Sequence, residues 1–186
     1  MSELDLEKRA RQLVGQSLSA VHYQKAGWAE PTWEIASHPD LHTVDLSVTL
    51  ETAKGDRHWI SWADEFNLHH GFGVTLKPIK VVDRDRGMIT EMTGDPHWQN
   101  LLGQPITAAL IHWERIREAL RISLSLGVSI CADYLRRLDY PQALELVFAD
   151  GGRVRFDASR MEPNGKKLPF TNNLLVSFSP VSRDRR

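Results

Sequence analysis

The chain is expected to be an α+β protein, rich in antiparallel β, built from two tandem copies of a helix-strand-strand-hairpin-strand unit arranged with pseudo-twofold symmetry. Three correspondences, met in the same order in both halves of the 186 residues, carry this expectation. Leu13-Val14-Gly15-Gln16-Ser17-Leu18-Ser19-Ala20 returns as Leu101-Leu102-Gly103-Gln104-Pro105-Ile106-Thr107-Ala108. Leu46-x-Val48-x-Leu50, a Gly55 turn and Ile60-x-Trp62 return as Leu144-x-Leu146-x-Phe148, a Gly151-Gly152 turn and Val154-x-Phe156. Phe72-Gly73-Val74-Thr75-Leu76 returns as Leu174-Leu175-Val176-Ser177-Phe178. Residues 1–93 then form an amino-terminal lobe and residues 94–186 a carboxy-terminal one, packed together as one unit, with Trp59 opposite Arg153.

The elements follow from local chemistry. A helix is expected from about Glu3 to Leu13, because Leu6, Ala10, Leu13 and Val14 recur on one face, Ser2 can cap and Gly15 stops it. The second copy starts alike: Asp95 caps, Pro96 fits the first turn, and Trp98, Leu101 and Leu102 form the apolar face before Gly103. A strand follows each Gly-Gln pair. In Ser17 to Tyr23, Leu18, Ala20 and His22 share one face and Val21 and Tyr23 the other; Pro105 to Trp113 is apolar on both faces and reads as a central strand. The stretch from Trp113 to Leu126 suits helix or strand, and a strand ending at Gly127 is preferred, followed by a short helix over Ala132 to Leu138 that Tyr140-Pro141 breaks. Ala143 to Asp157 is a hairpin, since Leu144, Leu146 and Phe148 alternate inward before Asp150-Gly151. Lys77 to Gly94, rich in proline and charge, joins the copies.

Composition excludes several function classes. Apolar content of 41% and charged content of 25% are ordinary for a globular protein, and no apolar run approaches a membrane span. A net charge of -1 lacks the basic surplus of nucleic-acid binders. The halves differ: residues 1–93 hold 10 Lys/Arg against 14 Asp/Glu, a balance of -4, and residues 94–186 hold 13 against 10, a balance of +3. One cysteine, Cys131, excludes an intramolecular disulfide and favours a reducing, cytoplasmic setting. Its apolar neighbours keep a thiol protonated and inert.

Two groups of residues stand out. Six of the eight histidines lie in the first copy. In Asp64-Glu65-Phe66-Asn67-Leu68-His69-His70-Gly71 a short helix would set Glu65 and His69 on one face, with His70 beside them and His58 or His42 nearest for a third metal ligand. Glutamate in the first turn and histidine in the last also simply complement a helix dipole. The other group is on the two hairpins. With Ile60 and Trp62 inward, Arg57, Trp59 and Ser61 project outward, as Arg153, Arg155 and Asp157 do in the second copy. An outward tryptophan is either covered, here by the Trp28 to Trp33 stretch, or offered to a partner as an anchor. Arg153, Arg155, Arg160, Lys166 and Lys167 form the only basic concentration, although solubility alone accounts for a charged outer face.

No phosphate-binding glycine loop, nucleophile elbow, paired-cysteine site or zinc-protease histidine pair is present, so no cofactor is expected. The expected function is that of a small, non-enzymatic binding protein for another protein, through its sheet faces or inter-lobe cleft at Trp59, Arg57, Arg153 and Arg155, with neither nucleic acid nor membrane as partner. Toxin-neutralising proteins of the immunity kind are of this size and likewise lack catalytic residues. The alternative is a metal-dependent hydrolase using Glu65, His69 and His70.

Overall fold

In the computed structural model of the protein, which describes residues 3–25, 34–35, 38–63, 73–81, 87–123, 129–162 and 165–179, helix is confined to two short segments. α1 (Glu3–Arg11) buries Leu6 and Ala10 on one face, with Leu13 below them in the turn that follows. It is tied down by the Arg9 guanidinium, which donates to the Leu76 carbonyl at 3.0 Å. α2 (Pro96–Gln99) is a single turn, capped by the Asp95 carboxylate, which accepts from the His97 and Trp98 amides.

The strands are β1 (Leu18–Lys25), β2 (Glu34–Ile35), β3 (His38–Val44), β4 (Ser47–Thr52), β5 (Arg57–Ala63), β6 (Gly73–Ile79), β7 (Met88–Glu91), β8 (Ile106–Ser123), β9 (Ser129–Phe148), β10 (Arg153–Met161) and β11 (Lys167–Ser179). They form a five-stranded sheet, β6-β5-β4-β1-β7, and a six-stranded sheet, β2-β3-β11-β10-β9-β8, with antiparallel pairing throughout. The α+β expectation therefore gives way to a mostly antiparallel β architecture. β2 and β3, from the first 93 residues, extend the second sheet through β11, where Val44 pairs with Leu174.

The inner faces of both sheets feed one core. Val21, Val48, Leu50, Ile60 and Leu76 of the first sheet and Leu144, Leu146, Val154, Phe156 and Val176 of the second are all at 0% exposure in a single apolar cluster. Burying each such side chain contributes roughly 1.5–3 kcal/mol, which is why strict alternation fixes each strand's register.

The two sheets share several local features. β6-β5-β4-β1 and β11-β10-β9-β8 have the same sequential order. The Gly15 amide donates to the Ile106 carbonyl and the Gly103 amide to the Leu18 carbonyl, and Ser17 bridges Pro105. Both glycines have positive φ, 82° and 75°, which a side chain would resist. The Gly55 amide closes its turn on Thr52 as the Gly151 amide does on Phe148. Counted from these turns, Arg57 is level with Arg153 and Trp59 with Arg155, two residues from the expected Trp59–Arg153 match. The outward parity is unchanged.

Other expectations are corrected by pairing over distance. Ala132 to Leu138 lies within β9, not a helix, because Leu135 and Leu138 pair with Ala119 and Ile116 of β8. Pro141 does not end the strand. It sits at the register shift between His112 and Trp113, where a missing amide is tolerated. β8 lies at the edge of its sheet instead of its centre, and Leu110 on it is exposed. Leu18 joins Val21 and Tyr23 in the core because a bulge between Leu18 and Ala20 turns it inward. The joining stretch supplies β7, which pairs with β1.

Gly73 marks a close approach between the sheets. A Cβ at that position would lie 3.0 Å from Pro141 Cγ and 3.3 Å from its carbonyl oxygen, neither of which can swing aside. Gly73→Ala is expected to cost roughly 1–2 kcal/mol through overpacking, read from urea unfolding. An unchanged midpoint would show that the β6–β9 approach is loose.

Candidate functional site

The outer face of the first sheet is organised in rows that cross the strands. One row runs Lys77–Trp59–Thr49–His22–Glu91 across β6, β5, β4, β1 and β7. Ile60 points into the core at 0% exposure, so the alternation of β5 sets Trp59 on the opposite face, where its ring is half-buried. The Lys77 ammonium lies over that ring, 5.9 Å from its centroid. The adjoining row, Thr75–Ser61–Ser47–Gln24, is buried and small, with the Ser47 hydroxyl donating to Gln24 Oε1 at 2.9 Å. Arg57 stands in the third row, held by Glu51 at 2.7 Å. The face therefore carries one large, half-buried aromatic side chain beside hydroxyls that are themselves buried, with opposed charges at the ends of its row.

The second sheet's outer face is already paired. Glu145 accepts from Arg153 Nη1 at 3.1 Å and lies 2.7 Å from His112 Nε2. Asp157, whose side chain is 2% exposed, meets Arg155 at 3.1 Å and Lys167 at 3.0 Å. The basic concentration seen in the sequence is thus largely matched by carboxylates. In these pairs the carboxylates are buried and the cations half-exposed, and the pairing fixes the guanidinium groups in place.

Of the four residues expected to bind, the structure sets Trp59 and Arg57 on one sheet face and Arg153 and Arg155 on the other. Glu65, His69 and His70 lie outside the described residues, as does the Trp28 to Trp33 stretch. Among the described residues no group of three or more His, Cys, Asp or Glu is placed to hold a metal ion. The two histidines considered as third ligands are apart in the fold, His58 on β5 of the first sheet and His42 on β3 of the second.

Sequence reasoning missed a buried polar chain between the sheets. Trp98 Nε1 donates to the Tyr23 hydroxyl at 2.8 Å, and that hydroxyl lies 3.1 Å from His42 Nδ1. An indole nitrogen only donates, so the tyrosine oxygen accepts from it, while the direction of the Tyr23–His42 bond follows the imidazole tautomer. His42 Nε2 lies 3.8 Å from Asp95 Oδ2. Tyr23, His42 and Trp98 are all at 0% exposure, and Phe178 packs edge-on to Trp98 at 5.1 Å and to His42 at 5.1 Å. Burial, more than the nearby Asp95 charge, pushes the Tyr23 phenol well above its ordinary pKa, against the opposing Trp98 bond. This chain is closed to solvent and joins sheets; the Asp95 cap was its only visible trace in the sequence.

Among the described residues no helix is long and apolar enough to cross a membrane. Compared with known proteins, the chain matches no family model, no curated protein and no solved structure.

Proposed function

We propose that this is a non-enzymatic binding protein, of the immunity type in its general character, which engages another protein through the outer face of its first sheet with Trp59 as anchor. The observation that carries the reading is the position of Trp59, half-buried in mid-row with Lys77 against its ring. Aromatic residues ringed by polar groups are the usual hot spots of protein interfaces. The mixed signs of Lys77 and Glu91 at the row's ends suit a protein surface, and the paired cations of the second sheet offer little to a phosphate chain. The single cysteine supports a cytoplasmic location.

The finer architecture belongs to the same proposal: two tandem copies related by a pseudo-twofold axis near the Ser17–Pro105 bridge, with β2 and β3 as an excursion of the first copy onto the second sheet. The reciprocal bonds of Gly15 and Gly103, and the matching strand orders, support it.

Trp59→Ala is the test. If Trp59 is an anchor, stability stays within about 0.5 kcal/mol while affinity for the partner falls by roughly 2 kcal/mol or more. The partner would be captured from cells that express the protein, purified, and titrated by calorimetry against both forms. A stability loss of about 3–5 kcal/mol would instead make Trp59 part of the core and remove the proposed surface.

A further inference from the structure

β8 and β9 run on past the sheet they belong to. β10 pairs with β9 only from Ala143 to Val147, and from Trp113 and Pro141 out to Ser123 and Ser129 the two long strands, among the described residues, pair with each other alone. The parting is built in: Pro141 has no amide to offer a further strand, and Gln142 Nε2 donates instead to the Ala158 carbonyl at 3.2 Å. Gly73 of β6 meets the ribbon at its base, against Pro141. At the usual strand rise the ribbon is roughly 33 Å long, and a two-stranded ribbon alone in water is marginally stable. It needs a surface to rest on.

The apolar side of β8 changes over where the ribbon begins. Up to that point Ala109, Ile111 and Trp113 pack on the core, while Leu110, on the opposite parity, is 45% exposed. Beyond it the core-facing parity holds Arg115, Arg117 and Arg121, and the parity of Leu110 holds Ile116, Leu120 and Ile122 around a single Glu118. The register sets Leu138 opposite Ile116, Arg136 opposite Glu118 and Ile130 opposite Ile122. One face of the ribbon is therefore an apolar stripe crossed once by an opposite-charge pair, and it lies on the side of the sheet away from the protein's own core. An apolar stripe so placed marks an interaction surface.

We propose that the ribbon is a dimerisation arm, whose apolar face stacks on the same face of a second copy of this chain about a twofold axis running along the ribbon. Charge selects both the occupant and the axis. From Glu114 to Asp139 the chain holds four acidic and five basic residues, a near balance that favours its own copy over a strongly acidic or basic partner. The axis along the ribbon turns each β8 over the β9 of the other copy, so every position meets its own cross-strand neighbour: Ile116 meets Leu138, Ile122 meets Ile130 and Glu118 meets Arg136. An axis across the ribbon at Glu118 would instead set Glu118 on Glu118 and Arg136 on Arg136. The arm belongs to the second sheet, so the dimer leaves Trp59 on the first sheet open, and the two surfaces stand or fall separately.

The test is sedimentation velocity of the full chain over about 1–100 μM, the range in which an interface of this small size associates. The mass should rise with concentration from 21.2 kDa toward twice that value. Glu118→Arg and Arg136→Glu, each of which sets like charges on one another across the axis, should each weaken association at least about tenfold. Their equimolar mixture should restore it, because each arginine then meets a glutamate of the other chain. That recovery separates a lost contact from a misfolded ribbon, since two misfolded chains would not rescue each other. A chain that stays at 21.2 kDa throughout leaves the stripe to some other partner and overturns the proposal, as would single variants that associate like the parent or a mixture no stronger than either variant alone.

Discussion

Replacing Trp98 with alanine is expected to cost about 3–5 kcal/mol, the largest loss of any single substitution considered. The indole is at 0% exposure and touches both sheets: it stacks on Phe156 at 6.2 Å, meets Phe178 edge-on at 5.1 Å, and donates to Tyr23 at 2.8 Å. Truncation removes the largest buried side chain, leaves a cavity between strands that cannot close over it, and removes one partner of the Tyr23 hydroxyl. Trp98→Phe separates these effects. It keeps most of the volume and loses only the hydrogen bond, for which about 1 kcal/mol is expected. Urea unfolding of the two variants reads both numbers, and a loss below about 2 kcal/mol for alanine would mean that Trp98 is peripheral to the sheet junction.

That junction shows what the sequence could and could not reveal. Features closed within a few residues were legible: Asp95 as a cap, and the alternation that sets Ile60 in and Trp59 out; the expected stops Gly15 and Gly103 stand four residues beyond the helix ends at Arg11 and Gln99, in the turns that follow. Each depends on backbone chemistry that neighbouring residues determine. Pairing at a distance was not legible. Ala132, Leu135 and Leu138 suit a helix face as well as a strand, and only β8, which supplies Ala119 and Ile116 opposite them, decides the matter. Likewise β3 left its own half to pair with β11, a choice made by the Val44–Leu174 and His42–Val176 register and not by anything within residues 38–44.

The candidate sites divide on the same line. Trp59 was found because its parity is local, and Arg57 because it shares that strand. His58 was weighed only as a metal ligand. Its burial and its unpartnered Nε2 come from packing around β5 that residues 57–63 alone do not reveal. Arg153 and Arg155 were read as an offered basic surface, whereas Glu145 and Asp157, which match them, sit on the same outward parity of β9 and β10. Arg155 and Asp157 stand two residues apart on one face of β10, whereas the approach of Arg153 to Glu145 at 3.1 Å depends on the β9–β10 register.

High pH should unfold the protein more readily than its composition suggests, with Tyr23 responsible. Its phenol is held well above the unfolded value of 10.0, so between that value and the folded one the unfolded chain releases a proton that the folded chain keeps. Stability from this group is complete below pH 10 and falls above it, by at most about 1.4 kcal/mol per pH unit, until the folded phenol itself ionises. Tyr23→Phe isolates the effect. At pH 8 it should be less stable than the parent by about 1–3 kcal/mol, because Trp98 Nε1 and His42 Nδ1 each lose their buried partner. Above pH 10 the variant has no phenol at this position to titrate, so its curve should be the flatter one and the two should converge. Urea midpoints taken from pH 8 to 12 on both proteins test this. Parallel curves would mean that the Tyr23 hydroxyl ionises as easily in the fold as outside it, and that the chain joining the two sheets is open to water.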